Sequence, residues 1–288
     1  MSALQYKAPT SVDEAAALLA GASGEARVLA GGTDLLVQLR AAMIAPELVV
    51  DIKHIPELTA VSVKDGVYSI GAAAPSAELH ENKELFAMWP GVIEAMDLVG
   101  STQIQGRASL GGNLCNASPA ADSVPAMIAA SAVCVIAGPN GTREVPVEEV
   151  ATGPGKTSLA KGEFVVTIRL PKKAPRTGDA YLRFIPRTEM DIAVVGVGIC
   201  LTLDDSGVCT TARVSLGAVA ALALLVKEAA DALIGTKCDD AALANLDAAA
   251  QAACRPINDK RGTIEFRTKV AGVLARRAAA IALERARS

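Results

Sequence analysis

The chain is 288 residues long, with 28 basic against 31 acidic side chains and a net charge of −3. That length suits two or three domains, and no basic block precedes the last helix, which argues against nucleic acid as a partner. Half of the residues are apolar, much of that half alanine, and no run approaches the ~18 apolar residues of a membrane span.

The N-terminus lacks the basic start and apolar core of a signal peptide. Ser11 followed by Glu14 has the capping-box pattern, and Ala15 to Leu19 continue as a helix. Arg27 to Ala30 reads as a strand and runs into AGGTDL (Ala30 to Leu35), after which Leu35 to Ala42 is helical. Strands follow at Val49 to Ile52, Thr59 to Val63 and Val67 to Ala72, the last two flanking Lys64-Asp65-Gly66 as a hairpin. A helical stretch from Ser76 to Val99 is broken at Pro90. Ser101 to Ser123 is then a long, nearly uncharged, glycine-containing loop.

Ser123 to Ala130 is helical, Ala132 to Ala137 a strand, and Asn140-Gly141 a hairpin turn. Phe164 to Leu170 alternates as a strand and stops at Pro171. Lys172 to Asp179, rich in Pro, Gly and charge, is the candidate boundary. It divides the chain into 1–175 (a small lobe 1–54 and a larger lobe 55–175) and 176–288. Beyond it come strands at Tyr181 to Ile185, Ile192 to Leu203 and Val208 to Leu216, then helices around Ala220 to Leu233, Asp240 to Cys254 and Thr263 to Arg287. That order is an antiparallel meander with helices on one side, an α+β fold.

Side chains able to do chemistry are few. His54 and His80 have no metal-ligand spacing, the six cysteines form no CxxC pair, and no GxSxG motif occurs. These patterns place no metal centre and no disulfide framework on the chain, which reads as cytoplasmic. Gly155-Lys156-Thr157 lacks the first glycine of a P-loop, and Gly196-Val197-Gly198 lacks the third glycine of a dinucleotide fingerprint. What remains are two glycine pairs, Gly31-Gly32 and Gly111-Gly112. Each is either an ordinary turn or a place where backbone approaches a ligand with φ > 0 and N–H groups cradle an anion. Chemistry on such a chain belongs to a bound cofactor.

Five motifs occur in one order: AGGTDL, RASLGGNLCNASPAADSVPAM (Arg107 to Met127), E-x-V-x-x-I-x-L-P (Glu163 to Pro171), YLRFIPRTEMDIAVVGVG (Tyr181 to Gly198) and RGTIEFRTKVAGVLARRA (Arg261 to Ala278). Together they resemble the flavoprotein subunit of the molybdenum hydroxylases, the xanthine dehydrogenase and carbon monoxide dehydrogenase family. The resemblance implies a PCMH-type, vanillyl-alcohol-oxidase-like FAD-binding domain, followed by a CO-dehydrogenase-flavoprotein-like C-terminal α+β domain. It implies non-covalent FAD on this chain, with the molybdenum cofactor on a large partner and [2Fe–2S] clusters on a small one. Electrons would pass from the clusters through FAD to NAD or another acceptor, in a dimer of heterotrimers.

Carried over residue by residue, the resemblance lines the diphosphate with Leu29, Ala30, Gly31, Gly32, Thr33, Asp34 and Leu35, with Thr33 donating a hydroxyl and Asp34 capping the helix. Ala108, Ser109, Gly111, Gly112 and Asn113 hold phosphate and ribityl groups, and Cys115 and Asn116 approach the flavin. Ile104 and Val165 pack near the cofactor, and Asp122 meets the adenosine ribose. Arg183 stands where relatives often carry Lys, near the flavin carbonyls; its other reading is a surface pair with Glu189 or Asp191. The competing functions are a stand-alone FAD oxidoreductase and a non-enzymatic scaffold that has kept the fold.

Overall fold

The computed structural model describes residues 4–288. The first part of the chain forms β1 (Gln5–Lys7), α1 (Val12–Gly21), β2 (Ala26–Leu29), α2 (Leu35–Arg40) and β3 (Leu48–Asp51). The three strands make a parallel sheet in the order β1-β3-β2. Ser11 caps α1 by accepting from the Glu14 N–H at 3.2 Å, and Glu14 in turn accepts from the Thr10 N–H at 3.0 Å. Ala15, Ala16 and Leu19 bury one face of α1. Strand β1 carries no signal of its own, being three residues whose register is set only by β3.

The middle of the chain forms β4 (Val61–Lys64), β5 (Val67–Gly71), α3 (Ser76–Glu81), α4 (Lys83–Met88), α5 (Pro90–Asp97), α6 (Thr102–Gln105), α7 (Leu110–Cys115) and α8 (Ser123–Ala129). It continues through β6 (Val133–Gly138), β7 (Gly141–Pro146), β8 (Ala151–Gly153), β9 (Lys156–Thr157) and β10 (Phe164–Leu170). Strands β4-β5-β10-β6-β7 build one five-stranded sheet, antiparallel at every pairing. The stretch expected to break once at Pro90 breaks also at Asn82, whose side chain caps α4 by accepting from the Leu85 N–H at 3.0 Å. The stretch expected to be a loop, Ser101 to Ser123, contains α7. Leu110 and Leu114, four residues apart and fully buried, anchor that helix in the core.

The remainder forms β11 (Thr177–Phe184), β12 (Val195–Leu203), β13 (Cys209–Gly217), β14 (Leu224–Leu225), α9 (Lys227–Asp231), α10 (Asp240–Ala253) and α11 (Ile264–Arg287). Its antiparallel sheet has four strands rather than three. Leu224 and Leu225 pair with Leu216 and Ser215 in a stretch whose composition favours helix, so sheet pairing overrides local propensity there. The strand expected from Ile192 begins at Val195; Asp191 is tied instead to Arg261 and to the Ile192 N–H.

The alanine content has a packing reason. Ala275, Ala278, Ala279, Ala282 and Ala286 of α11 are buried, and a Cβ on Gly178 of β11 would lie 2.0 Å from the Ala282 carbonyl oxygen. Small residues on both elements let helix and sheet approach closely. Of the glycines resembling a dinucleotide fingerprint, Gly198 serves the same end, since a Cβ there would lie 2.4 Å from the Pro125 carbonyl oxygen in α8, while Gly196 makes room for the Tyr181 hydroxyl. Asp179 of β11, buried, accepts from the Gly91 N–H at 2.8 Å and from Lys173 Nζ at 2.5 Å, joining the C-terminal sheet to α5. Among the described residues no helix is long and apolar enough to cross a membrane.

Candidate functional site

A cleft of about 390 Å³ opens between the parallel sheet and the five-stranded sheet, a volume within the range of ligand pockets. Strand β2 delivers the chain to its mouth, where Gly31 to Asp34 turn into α2 and line the cleft. Gly32 needs its glycine for φ +79°. Gly31 needs it for space: a Cβ there would lie 2.0 Å from the Arg107 carbonyl oxygen. The backbone N–H groups from Gly31 to Leu35 find no acceptor among the described residues. They form a row of donors open to a ligand.

The second glycine pair sits differently from expectation. Neither Gly111 nor Gly112 has positive φ; both lie in the first turn of α7, and at Gly111 close approach is what requires glycine. A Cβ on Gly111 would lie 2.5 Å from the Ala72 carbonyl oxygen, which also accepts the Gly111 N–H at 3.2 Å. Gly112 faces Ala30, whose Cβ would stand 4.0 Å from one on Gly112. The two glycine segments therefore share one floor. Ser109 caps α7 by accepting from the Gly112 N–H at 3.2 Å, which leaves its own O–H to donate.

Electrostatics at the cleft are mild. Asp34 stands at the N-cap position of α2 but makes no capping hydrogen bond, which corrects the expected role. Its side chain reaches solvent, yet the concave wall around it raises its carboxyl above the ordinary range by desolvation. Burial pushes the Cys115 thiol up to about 12, so it lines the cleft as a neutral group and not as a nucleophile. His54 is exposed, and His80 Nδ1 lies 2.7 Å from an Asp97 carboxylate oxygen; neither lines the cleft.

Ala30, Gly31, Gly32, Thr33, Asp34, Leu35, Ala108, Ser109, Gly111, Gly112, Asn113, Cys115, Asn116 and Val165 all line this one cleft. Leu29, Ile104, Asp122 and Arg183 do not. Leu29 lies beneath the turn, where a Cβ on Gly32 would meet its Cδ1 at 2.8 Å. Ile104 packs over Gly100.

Asp122 and Arg183 are committed to each other. Arg183 Nη1 donates to Asp122 Oδ2 at 2.7 Å, and the Tyr181 hydroxyl donates to Asp122 Oδ1 at 2.8 Å. This pairing takes the place of the surface pair with Glu189 or Asp191. The long planar guanidinium reaches across from β11, where a compact ammonium on the same strand would bond differently. Burial pushes the Asp122 carboxyl up to about 6, against the opposing pull of Arg183 and Tyr181. Arg183 Nε is buried with no partner among the described residues.

Sequence reasoning missed the other wall: Leu19, Arg27, Ile52, Thr157 and the run from Leu159 to Phe164. Gly162, at φ +88°, marks that wall's close contact with Ala20 of α1. The one available signal was its place directly before the Glu163 to Pro171 motif. Thr157, part of the stretch resembling a P-loop, belongs to the short hairpin β8/β9 with Gly155 at its turn, φ +68°.

Comparison with known families agrees with this arrangement. Residues 2–173 match the FAD binding domain in molybdopterin dehydrogenase, and residues 180–282 match the CO dehydrogenase flavoprotein C-terminal domain. The chain is 34% identical over 284 residues to the carbon monoxide dehydrogenase medium chain of Afipia carboxidovorans, covering 98% of each. It superposes with a TM-score of 0.94 at 34% identity on a chain of carbon monoxide dehydrogenase from Hydrogenophaga pseudoflava, again covering 98% of each. A chain of quinoline 2-oxidoreductase from Pseudomonas putida 86 gives a TM-score of 0.91 at 28% identity, covering 99% of each. With a glycine-floored cleft at its centre and both family domains in sequence along it, the chain belongs to the FAD-binding medium subunits of the molybdenum hydroxylases.

Proposed function

We propose that this subunit carries electrons from [2Fe–2S] clusters of a small partner, through FAD, to NAD or another acceptor, while substrate is oxidised at a molybdenum centre on a large partner. Bound FAD supplies the conversion between one-electron and two-electron transfer. The observation that carries the reading is the shared floor of the two glycine segments with its row of free N–H groups. Such donors suit a diphosphate, which brings concentrated negative charge and many acceptor oxygens.

In this reading the N–H groups from Gly31 to Leu35 and the Ser109 hydroxyl hold the diphosphate. Thr33 adds a hydroxyl, Asn113 an amide, and Cys115 and Asn116 flank the flavin with uncharged surface. Arg183 and Asp122 act one layer behind, fixing α8 to β11. The FAD-binding part is taken as 1–175 and the C-terminal part as 176–288, in a cytoplasmic dimer of heterotrimers.

Purification from the native cells tests the assembly. The expected result is co-elution with a large chain containing molybdenum and a cysteine-rich small chain, under a broad iron–sulfur absorbance. A chain that elutes alone with flavin contradicts the carrier role and supports the stand-alone oxidoreductase.

A further inference from the structure

We infer that Ser123 is a positioning residue of the cofactor site: it holds the Asn113 side chain so that the amide presents its NH₂ group, a hydrogen-bond donor, to the cleft. The inference rests on the reading of that cleft as the FAD site and adds to it the polarity of one wall.

Asn113 Oδ1 accepts two hydrogen bonds from Ser123, one from the backbone N–H at 3.2 Å and one from the hydroxyl at 2.7 Å. The oxygen and nitrogen of a side-chain amide are ordinarily told apart only by their partners. Here the partner decides, because a backbone N–H can donate but never accept, so the amide atom facing it is the oxygen. The nitrogen is left at the opposite end. Nδ2 has no acceptor among the described residues, and Asn113 lines the cleft one residue beyond Gly112. Whatever cofactor atom stands opposite must be a hydrogen-bond acceptor.

Ser123 is well placed to impose this. It is fully buried, and the residue before it, Asp122, is anchored by Tyr181 and Arg183 of β11. The C-terminal sheet thus sets the position of Ser123, Ser123 sets the amide, and the amide faces the cofactor. Position 123 can carry this role only through a hydroxyl, since any residue keeps the N–H and only Ser or Thr adds the second donor in that place.

The test is an FAD titration of the full chain with its accompanying subunits, after removal of resident flavin, read by quenching of flavin fluorescence. Asn113→Asp keeps both bonds from Ser123 and replaces the NH₂ with an oxygen, so FAD affinity should fall roughly 30-fold. Ser123→Ala should weaken FAD by roughly 5-fold, and Ser123→Thr should restore it. In an Asn113→Ala background, Ser123→Ala should cause no further loss, an outcome that a general packing defect does not give.

Wild-type affinity in Asn113→Asp overturns the inference. So does an equal loss from Ser123→Ala in both backgrounds. Asn113→Asp is isosteric and decides the matter even if Ser123→Ala does not fold. A wild-type chain that takes up no FAD overturns the cofactor reading itself, which separates the two failures.

Discussion

Gly31→Ala is expected to yield a chain that no longer retains FAD. The added Cβ would sit 2.0 Å from the Arg107 carbonyl oxygen and 3.1 Å from Ala108 Cα. Both are backbone atoms, so no side chain can swing aside, and relief requires the two glycine segments to separate. Separation moves the row of N–H groups from Gly31 to Leu35 out of register with the floor that Gly112 and Ser109 provide. Losing one or two charge-assisted hydrogen bonds lowers affinity by roughly 100-fold, and forced overpacking costs about 1–3 kcal/mol of stability. Gly21→Ala, with nothing within 4 Å of the new Cβ, is the matched control and should bind FAD normally. Equilibrium dialysis against FAD and urea unfolding measure the two effects; a Gly31→Ala chain with unchanged affinity would show that the shared floor is not the binding surface.

Arg183→Met is expected to be the most damaging substitution outside the cleft. The Arg183 and Asp122 side chains are only 4% and 9% exposed. Removing the guanidinium leaves a carboxylate in a buried position with the Tyr181 hydroxyl alone, and breaking a buried pair in this way costs about 3–5 kcal/mol. The loss depends on pH with a definite sign. The Asp122 carboxyl lies at about 6 in the folded protein, above its unfolded value of about 3.9. Its contribution is therefore full below about pH 4 and declines as pH rises through 6. Without Arg183 the folded pKa rises further, so the decline continues beyond the point where the wild type levels off. Urea midpoints should show a larger deficit at pH 8 than at pH 5. An equal deficit at both would mean that Asp122 is not left unpaired.

Much of the fold is legible because the relevant physics is local. The Ser11/Glu14 cap, the Lys64-Asp65-Gly66 hairpin and the stop at Pro171 each follow from side-chain chemistry within a few residues. The helix α7 was hidden because its glycines resemble a loop, while the features that make it a helix are a Ser109 cap and two leucines meeting distant core residues. Strand β14 was hidden for the converse reason, an alanine- and leucine-rich stretch recruited by β13.

The cleft was legible on the glycine side, where the residue type itself records the constraint. On the side of Leu159 to Gly162 the residues contribute surface and shape, which leave no motif, and only Glu163 and Phe164 of that wall fall inside one. Arg183 shows a different limit: resemblance supplies its position in the chain, but its partner is set by reach and geometry, and Asp122 takes it.

The central claim is that the glycine-floored cleft holds FAD. Its most direct measurement is the flavin released by acid from the chain purified with its partners, identified and quantified against protein. Equimolar FAD, with none left covalently attached, is the predicted result. A colourless protein, or one that releases FMN and not FAD, would contradict it.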